Sequence, residues 1–211
     1  MHDYSIRNVS KTKVYYWLSA ISVVITQILT KVIEKIINIH SHVYNVYKQF
    51  ELLGFSFSAI IVFTALWYLF TKFLWKFFAK IKMLKTPNIS GEWNCSGEGK
   101  KYMDVKKTNN WTGVIQIEQN YEQMSIKLST EQSKSHSYSL VGDIEIHGSN
   151  EIILTYMYEN EPFDTETGLN QHKGFCRLIF NLANNSAKGR YYTDNDRSSY
   201  GSIELTKKEK K

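Results

Sequence analysis

The feature that most constrains this chain is an uncharged run of twenty residues, Leu52 to Thr71, with the sequence LLGFSFSAIIVFTALWYLFT. A helix of about 20 apolar residues, rising 1.5 Å per residue, crosses the roughly 30 Å hydrocarbon core of a bilayer. Trp67, Tyr68 and Lys72 lie at its end, where aromatic belts and snorkelling lysines are found. A helix buried in a soluble core usually keeps a polar stripe, but this run has only scattered Ser and Thr. It therefore predicts a membrane span over 52–71.

A second uncharged run begins at Val14 and opens with two tyrosines and a tryptophan. Although shorter and more polar, it has nearly the length of a span, and we predict one over 14–33. Small residues let membrane helices approach closely, either within one hairpin or between copies of the chain. The candidate packing residues are Ser19, Ser22 and Thr26, which share one face of the first helix, with Gly54 and Ser58 on the second.

Charge divides the chain into two parts. Up to Thr86 there are 11 Lys and Arg against 3 Asp and Glu, whereas from Pro87 onward there are 15 against 17. Basic residues are concentrated outside the two runs rather than between them, so the positive-inside rule predicts a multi-pass protein with both termini in the cytoplasm. The acidic balance of the second part argues against binding of a nucleic acid polymer.

After Pro87 the sequence has the period-two alternation and turn residues of β-strands. Eight short strands are expected, separated by turns that include Asn109-Asn110. Eight antiparallel strands in about 120 residues fit an up-and-down, lipocalin-like β-barrel that can hold one small ligand. We therefore predict a transmembrane region over 1–86 and a cytosolic, all-β sensing domain over 87–208.

The sequence lacks the signatures of common enzymes. The segment SGEGK at 96–100 lacks the spacing of a phosphate loop, and no serine-hydrolase, zinc-protease or kinase motif is present. The two cysteines, Cys95 and Cys176, lie in predicted strands without metal-ligand spacing. We expect neither a metal site nor an enzymatic activity nor a cofactor. A late cluster of tyrosines with His172, Thr193 and two arginines could instead bind a phosphorylated ligand.

The order of these elements resembles the membrane effectors of bacterial CBASS antiphage systems, the two-transmembrane, β-strand-rich family of cyclic-dinucleotide receptors. Five stretches carry the resemblance: ISGEW at 89–93, IEQNYEQMSIKLSTEQSKSHSYS at 117–139, LTYMYENEP at 154–162, HKG at 172–174, and RYYTDNDRSSYGSIEL at 190–205. Their order and spacing, rather than any catalytic motif, are specific.

The resemblance implies a function. Members bind a cyclic dinucleotide made by a partner nucleotidyltransferase after phage infection, associate through their spans as homo-oligomers, and disrupt the bacterial inner membrane, which kills the infected cell. From their position and chemistry, Arg197 and His172 are expected to hold the phosphates of such a ligand, and Tyr156 and Tyr192 to stack on its bases. Thr193 and Ser135 are expected to donate hydrogen bonds.

Two other interpretations fit the same residues. The GEW at 91–93 is also similar to the GxW of lipocalins, which suggests a membrane-tethered carrier of a small apolar ligand. Alternatively, the chain is a structural membrane anchor whose strand domain binds a protein partner.

Overall fold

The computed structural model describes residues 1–7, 9–37, 58–102, 104–130, 135–148, 151–162, 171–194 and 198–209. The chain forms two compact units. One is helical and consists of Ser10–Phe77; the other contains Met1–Val9 together with Phe78–Lys211. The N-terminal residues that we assigned to the membrane region are thus grouped with the strands.

Two helices are long and apolar enough to cross a membrane. Helix α1 runs from Thr12 to Ile37, and helix α2 is described over Ser58–Lys80, with a π-helical turn at Phe70–Leu74. In the most apolar part of each helix the mean hydropathy is 1.5, and only 11% of the residues are buried. Such exposed apolar surface is unfavourable in water and matches lipid. The predicted spans coincide with these helices, except that residues 52–57 lie outside the described residues.

The small residues of α1 serve close packing. Ser22 and Thr26 are 3% and 0% exposed within a single chain. Their hydroxyls donate within the same helix, to Ser19 O at 2.7 Å and to Ser22 O at 2.8 Å, so their protons are not available to a neighbouring helix. Tyr15 stacks on Trp67 of α2 at 4.0 Å between ring centroids, so the two helices contact each other within one chain.

The other predicted packing residues differ from this pair. Ser19 is exposed, and its hydroxyl donates to Tyr15 O at 2.8 Å. Ser58 is partly buried, and Gly54 lies outside the described residues. Among the described candidates on α1, Ser19 is therefore the one whose side chain remains accessible to a second copy of the chain.

Nine strands occur in the described residues. They are β1 (His2–Ile6), β2 (Gly91–Lys101), β3 (Asp104–Gln119), β4 (Gln123–Thr130), β5 (Ser135–His147), β6 (Glu151–Pro162), β7 (His172–Asn181), β8 (Ser186–Thr193) and β9 (Ser199–Lys207). Neighbours from β2 to β9 pair antiparallel, β9 returns to β2, and β4 pairs with β5, so the sheet closes on itself. The prediction of a large antiparallel sheet after Pro87 is confirmed.

The predicted turn at Asn109-Asn110 is wrong. Asn109 and Asn110 lie inside β3, where they pair with Gly99 and Glu98 of β2. Asparagine is common in turns, but here β2 is long enough to pair with the backbone of both residues, so they remain in the strand. The two strands approach their connection at the pair Lys101 and Asp104 instead.

Strand β1 is the element that the sequence did not predict. It pairs antiparallel with β4 through His2 and Met124, and parallel with β5 through Tyr4 and Gly142. Strands β4 and β5 pair with each other directly only over 127–129 and 136–138. Strand β1 therefore fills the gap where β4 and β5 diverge, immediately before the chain enters α1.

One end of the closed sheet is filled by a hydrophobic core. Trp93 packs edge-on against Phe180, with 5.0 Å between ring centroids, and its indole N–H donates to Ile89 O at 3.1 Å. Lys207 Nζ lies 5.2 Å from the centroid of the same indole. Inward residues of the surrounding strands complete this core, among them Ile115, Ile117, Met124, Ile144, Leu154 and Leu178.

Gln119, at the end of β3, joins the two segments that connect the sheet to the helices. Its Oε1 accepts from Ile89 N–H at 3.0 Å, and its Nε2 donates to Pro87 O at 2.9 Å and to Tyr4 OH at 3.1 Å. Tyr4 precedes α1, while Pro87 and Ile89 follow α2. A single buried amide thus fixes both connections at the filled end of the sheet.

We expect Gln119→Leu to lower the free energy of unfolding of the strand unit by about 2–4 kcal/mol, because buried backbone groups at Pro87 and Ile89 lose their partners. Gln116→Leu is the matched control, since Gln116 is an exposed residue of the same strand. Urea unfolding in detergent, followed by tryptophan fluorescence, measures both. Equal stability of the two variants would contradict this role of Gln119.

Candidate functional site

The other end of the closed sheet is hollow. It contains a cavity of about 400 Å³, lined by residues of β2, β3, β4, β5, β6, β7, β8 and β9. This volume falls within the roughly 300–1,000 Å³ typical of small-molecule sites. Because side chains alternate between the faces of a strand, the inward residues of each strand continue from the core into the cavity.

The mouth of the cavity is polar. Neighbouring strands contribute one or two short polar side chains each: Thr130 from β4, Ser135 and Ser137 from β5, Asn160 from β6, His172 from β7, Thr193 from β8 and Ser199 from β9. Cross-strand pairing places Asn160 directly beside Ser137 on one side and His172 on the other. These groups form a continuous band of hydrogen-bonding side chains around more than half of the opening.

Below this band the walls are aromatic. Tyr156, Tyr158, Tyr191 and Trp111 line the cavity, and the Trp111 indole N–H donates to Tyr191 OH at 3.2 Å. Three of the rings lie across from a glycine of the next strand: Trp111 from Gly97, Tyr158 from Gly174 and Tyr191 from Gly201. A side chain at any of these glycines would meet the facing ring. The glycines therefore leave room for aromatic surfaces that face a ligand.

Hydrogen bonds fix the polar residues at the mouth. Ser199 N–H donates to Thr193 Oγ1 at 2.8 Å, and the Thr193 hydroxyl lies 3.1 Å from Ser199 O. The Asn160 Nδ2 donates to Ser137 Oγ at 2.9 Å. Side chains held in this way lose little rotamer freedom when a ligand binds, which favours affinity.

The electrostatics of the cavity favour an anion. Lys101 of β2 lines it, on the same face as Gly99, whereas Lys100 also lines the outer groove of Tyr192. None of the described lining residues is Asp or Glu. Burial raises the pKa of Tyr156 well above its usual value and that of the Cys176 thiol to about 12. Both groups are therefore neutral at physiological pH, and the cationic side chain of Lys101 has no compensating carboxylate among the described lining residues.

The structure brings together four of the six predicted ligand-binding residues. Ser135, Tyr156, His172 and Thr193 all line the cavity. Tyr192 does not: it is 40% exposed on the outer face of β8 and lines a separate groove with Arg190 and Tyr200. Arg197 lies outside the described residues.

Other lining residues were missed, and three of them had a clear signal. Consecutive strand residues point to opposite faces, so Thr193 and Tyr192 cannot both point inward, whereas Tyr191 and Thr193 share a face. The same alternation places Tyr158 and Asn160 on the face of Tyr156. The contributions of Trp111 and Lys101 depend on cross-strand register, which the local sequence does not specify. No group of three or more metal-ligating side chains occurs among the described residues.

Comparison with known proteins identifies the family. The family described as "Cap15, cyclic dinucleotide receptor domain" matches residues 84–207, which include every strand that lines the cavity. The chain is also 31% identical over 150 residues to CD-NTase-associated protein 15 of Yersinia aleksiciae, covering 71% of this chain and 69% of that protein. The chain belongs to the Cap15 family. The predicted membership of the CBASS effectors is thereby confirmed.

We expect the Cys176 thiol to be nearly unreactive in the folded Cap15 domain. At pH 8 a pKa of about 12 leaves about a thousandfold less thiolate than the ordinary value of 9.0 would. Labelling by a thiol reagent at pH 8, in a Cys95→Ala background, measures this directly. The same protein in concentrated guanidinium chloride is the control and should label fast. Rapid labelling of the native protein would show that Cys176 is neither buried nor shifted as described.

Proposed function

We propose that this chain is an antiphage effector that binds a cyclic dinucleotide, made by a partner nucleotidyltransferase after phage infection, inside the closed sheet. Strands β2–β9 act as a lipocalin-like, eight-stranded barrel around the ligand. Binding promotes homo-oligomerisation through the transmembrane helices and disrupts the bacterial inner membrane. The observation that carries the proposal is the aromatic cavity, free of lining carboxylates in its described part, within the region matched to a cyclic dinucleotide receptor domain.

The lining residues suit the three chemical parts of such a ligand. Tyr156, Tyr158 and Tyr191 offer ring faces and edges to bases, and stacking on an aromatic side chain is worth about 1–3 kcal/mol per base. His172 and Lys101 provide donors for phosphates, to which the sequence adds Arg197. Ser135 and Thr193 provide hydroxyls. Tyr191 replaces Tyr192 in this proposal because it is the tyrosine that faces inward.

The proposed membrane arrangement follows from charge and connectivity. The basic residues outside the two spans put both termini in the cytoplasm, where a soluble messenger reaches the sheet. Residues 1–86 form the membrane region and residues 87–208 form the sensing domain. Strand β1 belongs to the membrane region by sequence but completes the sheet of the sensing domain. Binding shifts the population toward the associated form only if the ligand binds that form more tightly than the lone chain.

The apolar-carrier interpretation fits the cavity less well. Its mouth is lined by hydroxyls, an amide, a histidine and a lysine, and burying an apolar ligand against them would leave polar groups without partners. The anchor interpretation predicts no binding of any cyclic dinucleotide, so calorimetry with a panel of these compounds separates it from a receptor.

The adjacent tyrosines of β8 provide a matched pair for testing the site. We expect Tyr191→Leu to weaken cyclic dinucleotide binding about 5- to 100-fold, since it removes an aromatic surface from the cavity. Tyr192→Leu should change affinity less than about twofold, because its side chain lies on the outer face. Isothermal titration calorimetry of the full chain in detergent measures both. A larger effect of Tyr192→Leu would place the ligand outside the closed sheet.

For the helices, we expect the triple variant Ser19→Leu, Ser22→Leu, Thr26→Leu to reduce ligand-dependent leakage from liposomes. Leucine at the buried positions 22 and 26 overpacks the hairpin, whereas leucine at 19 alters the accessible surface, so Ser19→Leu alone tests contact between copies. Val24→Leu, an exposed change elsewhere on α1, is the control. Leakage of the triple variant at the wild-type level would exclude these residues from the assembly.

A further inference from the structure

The cavity contains a buried acceptor atom that none of the described residues pairs. Asn160 is 7% exposed, and its Oδ1 has no hydrogen-bond partner among the described residues. Buried carbonyl oxygens are nearly always hydrogen-bonded, because burying one without a donor is costly. Since Asn160 lines the cavity, a ligand there is in a position to supply the missing donor.

The orientation of this amide is fixed by its neighbours. The Asn160 Nδ2 donates to Ser137 Oγ at 2.9 Å and to Ser135 Oγ at 3.3 Å. The same nitrogen lies 3.4 Å from the backbone oxygen of His136. An amide nitrogen has two protons, and both are directed at β5. Asn160 therefore offers a ligand an acceptor and no donor.

An acceptor selects among the parts of a cyclic dinucleotide. Phosphate oxygens are themselves acceptors and cannot satisfy Oδ1, whereas the bases have N–H groups on their edges. Tyr158 lies two residues before Asn160 on the same face of β6, so a base stacked on Tyr158 presents its edge toward Asn160. Lys101 belongs to β2, which is four strands away from β6 in the closed sheet. The side of the cavity where Lys101 can bind phosphates is therefore opposite the side that contains Asn160.

We propose that Asn160 is a specificity-determining residue that accepts a hydrogen bond from a base N–H of the bound cyclic dinucleotide. The inference rests on the proposed function and deepens it by assigning one wall of the cavity to base recognition. A base that presents an N–H at this position is bound, and one that presents only acceptors or carbon is rejected.

The test compares ligands that have a base N–H with analogues that lack it. The probes are cyclic di-adenylate, cyclic di-guanylate, cyclic di-uridylate and cyclic guanylate-adenylate, titrated into the full chain in detergent by calorimetry. The probe that binds most tightly is then compared with its analogues. Purine replaces adenine or guanine, and N3-methyluracil replaces uracil. In a mixed ligand, one base is replaced at a time. Removal of the N–H should weaken binding to the wild type about 10- to 100-fold. Asn160→Leu should bind ligand and analogue within about threefold of each other.

Two further variants separate recognition from packing. Asn160→Asp keeps an acceptor oxygen at the same place and should retain the discrimination, although its charge weakens binding of every anionic ligand. Glu159→Gln, on the outer face of β6, should behave as the wild type. If Asn160→Leu and Asn160→Asp both lose the discrimination, the amide acts through its packing on β5 and the proposal is overturned.

The remaining outcomes are distinct from one another. Discrimination that survives unchanged in Asn160→Leu overturns the role of Asn160 while leaving the receptor function intact. In another outcome, the wild type discriminates against 2′-deoxy analogues while Asn160→Leu does not. That result identifies the ribose 2′-hydroxyl as the donor to Asn160 and also overturns the proposal. If none of the four probes binds the wild type, the proposed function fails, and this inference fails with it.

Discussion

The alternation of side chains along antiparallel strands determines how this sensing unit is built. Once the sheet closes, every second residue of β2 to β9 points to a common interior, and that interior must be filled or left open. At one end large residues such as Trp93 and Phe180 fill it completely. At the other end short polar residues and glycines replace them, and a cavity of about 400 Å³ remains. The core and the cavity are therefore formed by different parts of the same set of inward-facing positions.

The filled end is also where the chain connects to the helices. Strand β1 leads into α1, the segment after α2 leads into β2, and Gln119 holds Tyr4 and Pro87 by one buried amide. Because β1 completes the sheet between β4 and β5, the first helix is joined covalently to a strand of the sensing unit. Each helix is thus joined to the strands by a short segment: residues 7–11 before α1, and the ten residues 81–90 between α2 and β2. In the second segment, Pro87 and Ile89 contact Gln119.

Much of this arrangement could be predicted from the sequence, since it depends on local periodicity. Length without charge identified both apolar helices, and period-two alternation identified the strands after Pro87. Four of the six predicted ligand-binding residues line the cavity, and three of them, Ser135, His172 and Thr193, lie at strand ends. Tyr192 lies on the outer face instead, because one residue along a strand reverses the face. Strand β1 was missed because its five residues pair only with strands that are distant in sequence. The role of the glycines opposite Trp111, Tyr158 and Tyr191 could be recognised only once the register of the strands was known.

The most direct test of the account is an experimental structure of the full chain in complex with a cyclic dinucleotide. The account predicts that the ligand lies inside the closed sheet, with its phosphates toward Lys101 and its bases against Tyr158, Tyr191 and Asn160. A ligand bound instead in the outer groove of Arg190, Tyr192 and Tyr200, with the interior empty, would contradict it.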